Sequence, residues 1–147
     1  MIDYFNEKDL HTIDPKGRLL LPREIRDAFK IKKANVLYLI PNLSEPPYLE
    51  IRTESQWRKY CDTLRQQESS EKKKDSFRYA MMLKERVTVD GGGRIVIPTR
   101  IRDKCGLDGS VAVVNMDIYI EVWSQKHMEQ KYNDMIRAFR EANDRAF

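Results

Sequence analysis

A sixteen-residue segment occurs twice in this chain of 147 residues. Offset by 76 positions, Thr12-Ile-Asp-Pro-Lys-Gly-Arg-Leu-Leu-Leu-Pro-Arg-Glu-Ile-Arg-Asp27 lies over Thr88-Val-Asp-Gly-Gly-Gly-Arg-Ile-Val-Ile-Pro-Thr-Arg-Ile-Arg-Asp103, with eight positions identical. Half of the rest exchange one aliphatic residue for another, as in Ile13/Val89 and Leu19/Ile95. A solenoid needs at least about three units to bury a core, so a single duplication points instead to a pseudo-two-fold pairing of equivalent halves.

Each copy reads as the same small unit. A β-branched entry strand reaches Asp14 or Asp90, residues that hydrogen-bond their own turn. Pro15 pre-sets φ in the first turn and Gly17 supplies a positive one, while the second turn, Gly91-Gly92-Gly93, is looser. The aliphatic runs Leu19-Leu-Leu21 and Ile95-Val-Ile97 do not alternate with polar residues, which predicts a strand covered on both faces. Pro22 and Pro98 then end the strand and open a short helix carrying Ile25 or Ile101, the second stopping near Gly106.

Two more strands follow in each copy: Val36–Ile40 with Tyr48–Arg52, and Val111–Val114 with Ile118–Trp123. Pro41–Pro47 reads as a long, stiff reversal and Met116-Asp117 as a short one. An amphipathic helix closes each copy. The first is capped by Thr53 and has Trp57, Tyr60, Cys61 and Leu64 on one face; the second starts at Ser124 and carries Met128, Tyr132, Met135, Ile136 and Phe139. Gln67–Asp75 is a polar linker or a fraying helix end, and its three lysines read as solvated charge.

Composition narrows the function. No apolar run approaches the roughly 20 residues of a membrane helix. The opening Met1–Glu7 lacks the basic and apolar regions of a signal peptide. Two distant cysteines, Cys61 and Cys105, make no disulfide framework, so a reducing cytosol is expected. His11 and His127 are isolated, and the triple glycine precedes a strand rather than a helix, so no metal or phosphate-cradling motif of an enzyme is present. The net charge is only +4. It is focused, however: seven basic residues face Glu24 and Asp27 between Lys16 and Lys33, and six face three acids between Lys84 and Lys104. Two positive windows on an acidic body mark a polyanion-binding surface.

The paired motifs Asp14-Pro-Lys-Gly-Arg18 and Asp90-Gly-Gly-Gly-Arg94, each followed by aliphatics and Pro-x-x-x-Arg, resemble the MraZ family of bacterial transcriptional regulators. The resemblance implies an α+β fold with a mainly β core: tandem AbrB-like (SpoVT-AbrB) domains forming a swapped-hairpin β-barrel with pseudo-two-fold symmetry and outer helices. Its units would be residues 8–54, a helical connector over 55–82, residues 83–126 and a C-terminal helix over 127–147. It further implies a cytoplasmic, nucleoid-associated protein that forms a ring of about eight copies. Such a ring would bind double-stranded DNA at short direct repeats upstream of its own division and cell-wall operon. No cofactor, metal, membrane or small-molecule ligand is expected. The DNA-binding residues would be Lys16, Arg18 and Arg94, with Arg23 and Arg100 as phosphate neighbours. Asp14, Gly17, Pro22, Asp90, Gly93 and Pro98 would shape the hairpins, and Arg26 and Arg102 either buttress them or touch phosphate. Lys16 has no basic counterpart at Gly92. The rival reading is a ring-forming adaptor that acts through a protein partner, which would not need charge focused at the hairpins.

Overall fold

A computed structural model describes residues 10–67 and 70–146. The expected start of the first unit at residue 8, the segment Met1–Glu7, and Glu68, Ser69 and Phe147 lie outside the described residues. The first copy runs β1 (Leu10–Ile13), β2 (Arg18–Leu20), α1 (Arg23–Ala28), β3 (Val36–Asn42), β4 (Tyr48–Thr53) and α2 (Glu54–Gln66). After α3 (Glu71–Leu83) the second copy repeats the order as β5 (Glu85–Thr88), β6 (Arg94–Val96), α4 (Thr99–Cys105), β7 (Gly109–Asn115), β8 (Ile120–Ser124) and α5 (Gln125–Ala146). The fold is α+β, with a β core and helices outside.

The eight strands form one antiparallel sheet in the order β5-β3-β4-β8-β7-β1-β2-β6. The β5–β6 turn, where the Asp90 amide donates to the Arg94 carbonyl at 2.9 Å, brings the two ends together into a nearly closed barrel. Most of the ladder is exchanged between copies. β1 lies on β7, β3 on β5, β4 on β8, and β2 on β6 with Leu19 opposite Ile95. Neither copy can therefore close a core alone. The inward side chains of both, among them Leu19, Leu21, Leu37, Ile95, Ile97 and Ile101, fill one shared interior.

Both short helices end alike. The Leu107 amide reaches back to Arg102 at 2.9 Å past left-handed Gly106, and the Ile31 amide to Arg26 at 2.8 Å past Lys30, which carries φ +53. Cys105 is fully buried, as its helical position predicts, and burial pushes its thiol up to about 12.

Four sequence expectations change. β3 continues through Pro41 and Asn42, opposite Leu49 and Tyr48, so the connection is Leu43–Pro47 rather than Pro41–Pro47. Pro41 is tolerated because it lies past the end of β5, and its carbonyl accepts from the Tyr79 hydroxyl instead of a strand. The second reversal is longer than Met116-Asp117: the Met116 amide bonds the Tyr119 carbonyl at 2.9 Å, and β8 starts at Ile120. The polar stretch becomes helix from Glu71 onward, capped by the Ser70 hydroxyl on the Lys73 amide, because Phe77, Ala80 and Met81 further along pack with Trp57 and Cys61. Finally, the aliphatic runs are not covered on both faces. Leu19 and Ile95 are buried, but Leu20 is 45% and Val96 53% exposed. Short strands at this end of the sheet have a barrel on one side only, and a triplet of like residues hides that alternation.

The outer face of β4 and β8 carries an unforeseen polar cluster on the pseudo-dyad. Glu50 and Glu121 sit directly opposite one another in the ladder. Arg52, 7% exposed, donates to Glu50 at 2.7 Å, while the equivalent residue Trp123 donates to Glu121 at 2.9 Å. The Tyr119 hydroxyl adds a bond to Glu121 at 2.7 Å, and Asn42 one to Glu50 at 2.9 Å. Trp123 stacks on Tyr48 at 4.3 Å, and the Arg52 guanidinium covers Tyr119 at 4.6 Å and Tyr60 at 3.9 Å. Burial, and then the neighbouring carboxylates, raise the Tyr48 and Tyr119 hydroxyls well above the ordinary phenol range.

Candidate nucleic-acid interface

The two repeated motifs form the two hairpins, β1–turn–β2 and β5–turn–β6, and the exchange of strands sets β2 beside β6 as a single ribbon. In the first hairpin the Asp14 Oδ1 accepts from the Lys16 and Arg18 amides, both at 2.9 Å, and its Oδ2 pairs with the Arg18 Nε at 2.5 Å. In the second, the Asp90 Oδ1 accepts from the Gly92 and Arg94 amides, both at 2.8 Å. Among the described residues Arg94 forms no ion pair. The same motif thus gives one tethered and one untethered guanidinium.

The backbone bond from Arg18, followed by its side-chain bond and charge, holds the Asp14 carboxyl below the usual carboxylate value. For Asp90 the Arg94 amide acts first, then the Gly92 amide and the charges of Arg94 and Arg18. A carboxylate whose folded pKa is depressed supports structure above its unfolded value near 3.8 and loses that support as pH falls through the folded value. The amide resonances of Lys16, Arg18, Gly92 and Arg94 are accordingly expected to hold steady from pH 7 to about 4 and to move together below it. Movement centred near pH 5 or above would contradict the turn geometry.

Arg26 and Arg102 serve the hairpins from beneath. The Arg26 Nε donates to the Leu21 carbonyl at 3.0 Å and the Arg102 Nε to the Ile97 carbonyl at 2.9 Å. Each also crosses to the other copy's turn: a Cβ on Gly93 would meet the Arg26 Nη1 at 2.8 Å, and one on Gly17 the Arg102 Nε at 2.9 Å. Gly17 and Gly93 carry φ of +85 and +82, and the close approach uses their missing side chains as well. Pro22 and Pro98 precede α1 and α4 with φ near the ring's own value, −55 and −57.

The remaining predicted residues are spread differently. Lys16 is exposed at the first turn. Arg23 is exposed and only loosely paired with Asp27 at 3.9 Å. Arg100 is engaged by the Glu85 carboxylate. One cation of the first positive window was not among the expected site residues. The stem of Lys33, from the α1–β3 connection of the first copy, lies 3.9 Å from where a Cβ on Gly91 would sit, so a lysine borders the glycine turn that has none of its own. The connection from Ile31 to Asn35 is two residues longer than its counterpart from Leu107 to Gly109, which pairs with Ile13 as Asn35 meets Val89, so Lys33 has no equivalent beside the first turn. Only the strand exchange makes this substitution visible, because Lys33 and Gly91 are far apart in sequence. Leu20 and Val96 were likewise not expected, since the aliphatic runs hid their exposure.

A barrel whose strands are exchanged between two tandem copies, with both motif hairpins meeting in one ribbon, defines the class: duplicated swapped-hairpin proteins. The family described as "MraZ protein, putative antitoxin-like" matches residues 4–78 and 81–147. The chain belongs to the MraZ family. It is 26% identical to a "Transcriptional regulator MraZ" of Spiroplasma kunkelii over 81% of this chain and 80% of that one. Two others with the same name are 27% identical in Lachnoclostridium phytofermentans, covering 84% of both chains, and 28% in Desulforapulum autotrophicum, covering 89% and 87%.

Proposed function

We propose that this chain is a sequence-specific DNA-binding transcriptional regulator, with the β2–β6 ribbon and its two turns as the reading surface. The observation that carries the reading is the tethered arginine: the Asp14 carboxylate holds Arg18 through Nε, which leaves the terminal Nη groups for a ligand on a half-exposed side chain. A guanidinium fixed in this way matches the O6 and N7 acceptors of guanine in the major groove, which admits a two-stranded ribbon. Lys16 at one turn and Lys33 at the other provide phosphate contacts on either side, so the charge missing at Gly92 is restored from the opposite copy.

The relatives' names support regulation of transcription. Binding to direct repeats upstream of the chain's own division and cell-wall operon, and assembly into a ring of about eight, complete the proposal. Rotational neighbours in a ring meet successive direct repeats in the same orientation, and individually weak sites gain by avidity. The stripe of Met135 and Phe139 on α5, 47% and 67% exposed, offers apolar surface for self-association.

Fluorescence anisotropy with the chain's own upstream duplex and a scrambled one, across a salt series, tests this. Wild type is expected to prefer the native duplex by about a thousandfold or more. Arg18→Ala is expected to cost roughly tenfold or more on the native duplex and to erode the preference. Lys33→Ala is expected to weaken both duplexes alike and to flatten the log–log salt slope by about 0.9, the value of one phosphate. Equal, weak binding to both duplexes by wild type would leave the adaptor reading.

A further inference from the structure

The outward face of the ribbon carries four side chains, and only two of them are charged. Alternation about buried Leu19 and Ile95 turns Arg18 and Leu20 outward on β2, and Arg94 and Val96 on β6. The ladder sets Arg18 opposite Val96 and Leu20 opposite Arg94, so the aliphatic pair and the arginine pair lie on crossing diagonals of one small patch. Among the described residues nothing covers Leu20 or Val96, which remain 45% and 53% exposed. An exposed aliphatic at the same position of both copies, each facing a guanidinium across the ladder, is not accounted for by barrel stability.

We propose that Leu20 and Val96 are specificity-determining residues that recognise thymine C5-methyl groups beside the guanines read by Arg18 and Arg94; this rests on the DNA-binding reading above. The chemistry of the patch selects the occupant. A surface that alternates cation and aliphatic matches a major-groove floor, where guanine offers acceptors and thymine the one apolar group. Residues two apart on a strand are separated by about 6.8 Å, close to two base steps of about 3.4 Å. Leu20 therefore falls about two base pairs from the position addressed by Arg18, and Val96 stands the same distance from Arg94. Discrimination comes from burying a methyl against a side chain that is already desolvated on its inner side, at no cost to any hydrogen bond.

The test replaces every thymine of the native duplex by deoxyuracil, which removes the C5-methyl and leaves base pairing intact. Wild-type protein is expected to bind the uracil duplex about fifteenfold more weakly, the value of two buried methyl groups at roughly fourfold each. Leu20→Ala/Val96→Ala, which alters only outward side chains, is expected to bind both duplexes equally, at the affinity wild type shows for uracil. Its thermal unfolding and its assembly state, followed by sedimentation, are expected to match wild type. A uracil penalty that persists in the double variant comes from duplex shape and overturns the assignment. Equal binding of both duplexes by a wild-type protein that still prefers native to scrambled DNA overturns it too, and leaves the DNA reading standing. Loss of assembly in the double variant would make the patch a contact between copies. Absence of any native-over-scrambled preference is the separate failure of the reading itself.

Discussion

Gly17→Ala is expected to destabilise the protein by about 3–4 kcal/mol, the sum of roughly 1–2 for a side chain at positive φ and about 1 for each of two disturbed hydrogen bonds. The added Cβ would lie 2.6 Å from the Ile97 carbonyl oxygen and 2.9 Å from the Arg102 Nε. Backbone cannot swing aside like a side-chain tip, so the clash falls on the Ile97 amide bond to Gly17 at 2.8 Å and on the Arg102 bond to Ile97 at 2.9 Å. Gly109 provides the comparison, with φ +66 and, among the described residues, no atom beyond its chain neighbours within 4 Å of its own Cβ position. Gly109→Ala isolates the backbone cost and is expected to lose only about 1–2 kcal/mol. Chemical denaturation of the two variants separates the contributions. Equal losses would mean that the close approach between one copy's turn and the other's helix contributes nothing to stability.

The second large effect lies on the opposite side of the barrel. Arg52→Ala is expected to cost about 3–5 kcal/mol, the range for stripping a buried charge of its partner. Two carboxylates face each other there in register, and Arg52 is the cation that bonds one of them while filling the space between the Tyr60 and Tyr119 rings. Without it, Glu50 retains Asn42 but confronts Glu121 across the ladder. Glu50→Gln in the same background removes that repulsion and is expected to restore at least about 1 kcal/mol, since an amide still offers an acceptor. An Arg52→Ala protein within about 1 kcal/mol of wild type by urea unfolding would show that the carboxylates do not depend on it.

The duplication and the element order were legible because turn chemistry is local: Asp14, Gly17 and Pro22 act on their immediate neighbours, and so do Asp90, Gly93 and Pro98. Partners across the sheet were not. Which strand Leu19 lies beside depends on the whole barrel closing, and three aliphatics in a row carry no mark of which faces out. Within the expected helical connector the start of α3 was concealed by its first turns, Glu71 to Ser76, which are polar and mostly exposed; its packing residues come later. The difference between Arg18 and Arg94 was half visible. The sequence shows Pro-Lys in one turn and Gly-Gly in the other, but whether the arginine folds back onto its aspartate is decided by side-chain geometry. The Glu50–Glu121 pair had a trace in the equivalent strings Tyr48-Leu-Glu and Tyr119-Ile-Glu. Each reads alone as an ordinary alternating strand, and only the pseudo-dyad turns them against each other.

The exchanged ladder also governs when the molecule can come into being during synthesis. β2 waits for β6, β1 for β7 and β4 for β8, so no growing chain can shut the barrel before Ser124 has been made. From Leu20 to that point, at about 5–20 residues per second, a ribosome needs roughly 5–20 s. Throughout that interval the first copy offers open strand edges, and the complementary edge nearest at hand is on another nascent chain of the same message. Joining the two halves covalently removes the search for a second subunit. It replaces that search with a delay fixed by translation, during which neighbouring ribosomes carry matching halves.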